Sequence, residues 1–121
     1  MPNSTLLQAA GYGSLLIAIK HAASGKQFQR LRQFQELPNI AYTCNTVGWY
    51  QGSAYLVLTA LLNLHWAQHP QSLEEPLQRA MAMLLVLIAW ASSAWYFRRG
   101  VKESAILTVI AGVFQGWAAL H

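Results

Sequence analysis

The sequence predicts an all-α integral membrane protein: one domain over residues 1–121, a four-helix bundle with both termini on the non-cytoplasmic side. Three observations predict it. The eight basic and four acidic residues gather in three clusters. Charge-free stretches at 1–19, 37–73, 80–97 and 104–121 separate and flank those clusters, and each can supply the roughly 17–25 apolar residues that a bilayer core requires. A soluble bundle would scatter Glu and Lys along the outer face of every helix, and here the helix interiors carry none. The mean hydropathy of +0.26 and the 55% apolar content decide little by themselves.

The first cluster holds Lys20, Lys26, Arg30, Arg32 and Glu36, the second Glu74, Glu75 and Arg79, and the third Arg98, Arg99, Lys102 and Glu103. Lys and Arg mark cytoplasmic loops, so the alternation basic, acidic-leaning, basic sends the first and third loops into the cytoplasm and the middle loop outside. The net charge of +4 is thereby absorbed by membrane borders and does not indicate a nucleic-acid partner.

The first span covers about 6–24, with Lys20 near its cytoplasmic end able to snorkel to the headgroups. Its first charge follows the apolar run, the reverse of a cleaved signal peptide. Gly25 is expected to break the helix. Over 26–37, Phe28, Leu31, Phe34 and Leu37 recur three apart among Arg and Gln, which suits a short helix lying in the interface plane. Pro38-Asn39 ends that piece. The second span covers about 43–66, the third about 77–96 with Trp95 and Tyr96 suited to an interfacial belt, and the fourth about 104–120. Spans of about eighteen residues cover about 27 Å, which fits an endoplasmic-reticulum membrane, with a bacterial inner membrane as the alternative.

Gly48 and Gly52 in the second span, and Gly112 and Gly116 in the fourth, form GxxxG pairs, and Ala10, Ser14 and Ala18 share that spacing in the first. Small residues four apart allow close helix approach, either within the bundle or towards another membrane protein, so a homo- or hetero-oligomer is expected. The single Cys44 excludes an intrachain disulfide and thiol–disulfide chemistry of the quinone-reductase kind.

Polar groups inside spans each need a partner or a cavity. His21 is the one side chain near the cytoplasmic face able to exchange a proton at neutral pH, and is the candidate catalytic residue. Asn45, Trp49, Gln51, Tyr55, Trp95, Tyr96 and Gln115 supply aromatic surfaces and hydrogen-bonding groups suited to a hydrophobic small molecule, and they are the candidate substrate-binding residues. The same groups also serve if they only pair between helices. No Asp or Glu lies inside a span, which argues against a paired-carboxylate mechanism, a proton pump or a carboxylate-lined cation path. His65 and His69 are four apart, and the alternating topology brings His121 to the same surface. Pro70 disfavours the helical conformation that a shared metal needs, so no metal site is assigned. Asn3-Ser4-Thr5 matches the N-glycosylation pattern but lies almost against the first span.

The layout resembles a diffuse group of small four-span membrane proteins of this length, through His21, Gly25-Lys26 and Trp49. The tail Gln115-Gly116-Trp117-Ala118-Ala119-Leu120 and the Gln-rich basic loop are similar to fungal members encoded beside natural-product genes. The resemblance implies a role in cyclisation of a polyketide-derived intermediate. The expected function is therefore a membrane-embedded cyclase or isomerase that binds a hydrophobic intermediate and needs no cofactor. A non-enzymatic assembly subunit of a larger membrane complex is the alternative.

The topology has a direct test. In a Cys44→Ser background, Gln29→Cys should react with an impermeant thiol reagent from the cytoplasmic side and Ser72→Cys from the other. Labelling of both from one side would contradict the four-span arrangement.

Overall fold

The computed structural model describes residues 2–121, and they are all-helical, with no strand among them. Five α-helices follow one another: α1 (Ser4–Gln29), α2 (Arg32–Gln35), α3 (Asn39–Gln68), α4 (Pro76–Arg98) and α5 (Lys102–Leu120). A 3-10 turn, Pro70–Glu74, precedes α4. Backbone packing divides the chain into two compact units, one of residues 11–61 and the other of residues 2–10 with 62–121.

In the second of these units α4 and α5 are the closely packed pair. Their sequences explain it. The residues they bury are mostly small: Ala82 and Ser93 on α4, and Ala105, Gly112, Ala118 and Ala119 on α5. Small side chains let helix axes approach and trade lipid contact for backbone and side-chain packing. The outward faces carry Leu84, Leu87, Phe97, Ile106, Ile110 and Trp117, all exposed. Both helices are long and apolar enough to cross a membrane. Sheathing a small-residue seam in large exposed apolar side chains suits a lipid surround, since water would penalise that area at about 25 cal/mol/Å².

The ends of these helices follow local rules. Pro76 occupies the first turn of α4, where its missing N–H is harmless. Gly100 takes φ 77° after α4, and the Val101 and Gly100 amides donate to the Tyr96 and Phe97 carbonyls at 2.9 and 3.1 Å. That double bond is a Schellman closure, which needs a left-handed residue that glycine supplies without strain. At the other end of this unit, the Asn3 carboxamide oxygen caps α1 by accepting from Leu6 N, while Asn3 N donates to the Ala118 carbonyl.

The unit of residues 11–61 differs from expectation in three places. α1 does not stop at Gly25 but runs on to Gln29. Gly25 is buried, and a Cβ built on it would lie 2.7 Å from the Trp49 indole. It is a close-approach position inside a helix rather than a breaker. The short helix expected over 26–37 is a single turn, Arg32–Gln35, because Leu31 is extended with ψ 137°. The spaced aromatic residues turn inward instead of lining one face: Phe28 meets Phe34 edge-on at 5.3 Å, and Phe34 leans on Tyr42 at 5.1 Å. Finally, α1 and α3 have 26 and 30 residues, longer than the expected spans of about eighteen, so the thickness argument for a thin membrane does not extend to them. Their apolar runs are diluted by polar groups such as Gln8, His21, Asn45 and Gln51.

The glycines therefore differ in role, which stability measurements can separate. Gly25→Ala should destabilise the folded protein by about 1–3 kcal/mol, because the indole it would strike is held in place. Gly112→Ala should cost less, since the Trp90 ring at 2.5 Å is half exposed and can swing away. Gly48→Ala meets nothing within 4 Å and should be neutral or slightly stabilising. Thermal unfolding in detergent micelles is the measurement.

Candidate functional site

In residues 11–61 the chemistry converges on His21. On α1, His21, Gly25 and Phe28 recur at i, i+4 and i+7, and on α3 Trp49, Gly52 and Ser53 recur at i, i+3 and i+4, so each set shares one helix face. The two faces meet. The His21 imidazole stacks flat on the Trp49 indole, with centroids 3.9 Å apart and planes 9° from parallel. The Trp49 indole N–H donates to the His21 carbonyl at 2.7 Å, and Phe28 abuts the indole edge-on at 4.6 Å. His21 Nδ1 lies 2.8 Å from Ser53 Oγ. A Cβ on Gly52 would stand 3.2 Å from His21 Cε1 and 3.7 Å from Nε2, so glycine leaves room at that edge of the ring.

Ser53 Oγ lies 2.8 Å from His21 Nδ1 and 3.4 Å from the Trp49 carbonyl. The direction depends on the His21 tautomer: with the ring proton on Nε2, Ser53 donates to Nδ1, and with it on Nδ1, the ring donates to Ser53 and the hydroxyl to the Trp49 carbonyl. The stack on Trp49 and the Ser53 contact hold the ring in either case. Close by, Tyr50 Oη donates to Gln29 Oε1 at 3.3 Å. The Gln29 amide nitrogen is buried with no acceptor, the one such atom among the described residues.

The other expected residues are dispersed. Asn45 is exposed, and its amide returns to the Ala41 carbonyl at 2.8 Å. Gln51 is exposed, and Tyr55 is half-buried with its carbonyl taken by Thr59. In the other unit Trp95 is exposed beside Arg98 and Arg99, and Tyr96 is half-buried. Gln115 is buried and exchanges two hydrogen bonds with the fully buried Asn63, at 2.8 and 2.9 Å. Of the expected residues in the unit 11–61, His21 and Trp49 stack directly on one another.

Sequence reasoning passed over Ser53, Asn63 and the Trp66–Gln78 bond of 2.8 Å. The first two had a signal: Ser53 lies one turn beyond Trp49, and Asn63 is a lone carboxamide inside Leu61-Leu62-Asn63-Leu64. The unit that holds α4 and α5 carries an open apolar groove of about 450 Å³ between them, lined by Trp90, Trp117, Gly112 and Gly116 among others. The His65 and His69 rings lie 5.1 Å apart, and no group of three metal-binding side chains gathers among the described residues. Comparison with known proteins returned no matching family model, curated protein or solved structure.

The carboxamide pair is testable as a pair. Asn63→Leu and Gln115→Leu should each destabilise the protein, and the double variant should show a favourable coupling of about 0.6–1.7 kcal/mol. Unfolding in micelles across the four-member cycle measures it.

Proposed function

We propose that the chain is an integral membrane protein that promotes cyclisation or isomerisation of a hydrophobic intermediate, with His21 as its proton-transfer group. The observation that carries this reading is the way His21 is held: stacked on Trp49, bonded at Nδ1 to Ser53, and open at Nε2 beside Gly52. A fixed imidazole among aromatic rings is a preorganised donor, and preorganisation is what lets one group serve a transition state better than water does. The unsatisfied Gln29 amide nearby adds support, because departures from hydrogen-bond satisfaction concentrate at functional sites.

An intramolecular addition balances with this residue alone. His21 Nε2–H donates its proton to a substrate carbonyl oxygen. The substrate's own hydroxyl adds to the conjugated carbon, closing a C–O bond. The hydroxyl proton returns to Nε2, and the enol relaxes to the ketone. No bond to an outside atom forms and no electron is lost, so the step calls for neither oxidant nor cofactor. Stacking against Trp49 and Phe28 would hold the chain folded, replacing lost substrate entropy with binding energy.

This reading includes four spans with both termini on the non-cytoplasmic side, in the endoplasmic reticulum or in a bacterial inner membrane. The apolar character of α4 and α5 supports the membrane part. A second reading, a non-enzymatic assembly subunit, is favoured by the outward-facing groove between α4 and α5 and by the internal pairing of Asn63 with Gln115.

Product per folded molecule in microsomes fed a polyketide-type hydroxy-enone separates the two. His21→Ala should lower turnover by at least about 100-fold with normal membrane insertion, within the usual range for loss of a general acid. Ser53→Ala should lower it about tenfold, and Gly52→Ala, whose methyl would press on His21 Cε1 at 3.2 Å and shift the ring, by a comparable amount. Unchanged specific activity in all three would remove this site. Activity that only tracks the amount of assembled protein would favour the assembly reading.

A further inference from the structure

We propose that the turn joining α4 to α5 is a binding site for the headgroup of an anionic phospholipid, gripped by Arg98 and Arg99 on the platform of Trp95. The proposal is independent of whether His21 is catalytic.

Two guanidinium groups converge on one ring. The Arg98 and Arg99 Cζ atoms lie 5.6 and 5.7 Å from the Trp95 centroid. Like charges set side by side repel, and neither arginine has a carboxylate within salt-bridge distance; among the described residues Arg32 and Glu36 make the one ion pair. The indole quadrupole offsets part of that repulsion. The donors of a guanidinium lie in its plane, so one held against a ring by its face keeps N–H groups to offer phosphate oxygens in a bidentate manner. Lys102 stands three residues beyond Arg99, and Glu103 is the one acid of this turn. Both are exposed, and the net charge of the turn remains positive.

The surroundings select a lipid over a soluble anion. The cations cap the two helices that are long and apolar enough to cross a membrane. Phe97 is 70% exposed and Val101 45%, so apolar side chains lie next to the cations, where an acyl chain would run beside its headgroup. Trp95, itself 59% exposed, has the amphipathic ring that settles at the headgroup level. The Schellman closure at Gly100 fixes the turn, so the arginines are presented from a rigid element. Charge that served only to orient the chain in the membrane would need neither the shared ring nor the rigid turn.

The test uses the purified full chain in neutral detergent, offered equal amounts of phosphatidic acid and phosphatidylcholine, with bound lipid counted by native mass spectrometry. The wild type should retain phosphatidic acid over phosphatidylcholine by roughly tenfold or more, given the surface attraction expected for two or three cations. Arg98→Gln/Arg99→Gln should bring the ratio near parity, while Arg30→Gln/Arg32→Gln in the other basic cluster should leave it unchanged. Trp95→Leu keeps every charge and removes the platform, and should lower the ratio severalfold. No preference in the wild type, or a preference that survives the Arg98/Arg99 change, would overturn the proposal. So would an unaltered ratio in Trp95→Leu, which would leave only diffuse charge attraction. Displacement of the lipid by millimolar inorganic phosphate would assign the turn to a soluble anion instead, and would equally overturn it.

Discussion

A polar side chain buried on an apolar helix is cut off from solvent, and it must be satisfied by the chain itself. Most of what distinguishes this structure follows from that constraint. Asn63 and Gln115 close a reciprocal carboxamide pair, Trp66 donates to Gln78, and Ser93 donates to the Ala105 carbonyl. Ser4 reaches the Ala67 carbonyl. Thr46, Thr59 and Thr108 turn back on carbonyls of their own helices. In each case the polar group has a partner inside the protein. The His21 cluster differs in one respect: the Gln29 amide nitrogen beside Trp49 is buried with no acceptor.

The second constraint is space for rings. Glycine spacing in apolar helices ordinarily implies backbones in contact, but here the glycines mostly admit side chains. Gly25 admits the Trp49 indole, Gly52 the His21 imidazole and Gly112 the Trp90 indole. Removing one Cβ gives an aromatic ring a flat floor, which explains how a chain with five Trp can keep helices packed through small residues. The same motif thus serves packing in α4 and α5, and the positioning of a titratable group at α1 and α3.

Much of the fold was legible in the sequence. Charge clustering located four long helices to within about five residues; all four were expected to span a membrane, and α4 and α5 are the two found long and apolar enough to do so. The charged clusters at 74–79 and 98–103 marked the connections on either side of α4. What was not legible depended on partners. Gly25 reads as a breaker until the indole that fills its place is known. The spacing of Phe28, Leu31, Phe34 and Leu37 reads as a helix face, because periodicity does not record that Phe28 and Phe34 prefer each other and the rings of Trp49 and Tyr42. For the site, residue type identified His21 and Trp49, but type cannot say which polar groups pair off. Gln115 looked available until Asn63 took it, and Asn45 until it turned to Ala41. Ser53 went unnoticed because a serine on an apolar helix is ordinary, and only its distance to His21 gives it meaning.

The central claim is that Ser53 fixes the His21 ring so that a neutral imidazole presents its proton at Nε2. The most direct measurement is nitrogen-15 NMR of histidine-labelled protein in lipid nanodiscs, with His21 assigned by its loss in His21→Ala. The expected result is one dominant neutral tautomer, with the proton on Nε2 and Nδ1 as acceptor, which loosens to a tautomer mixture in Ser53→Ala. A His21 that carries its proton on Nδ1, or one whose tautomer balance does not respond to Ser53→Ala, would contradict it.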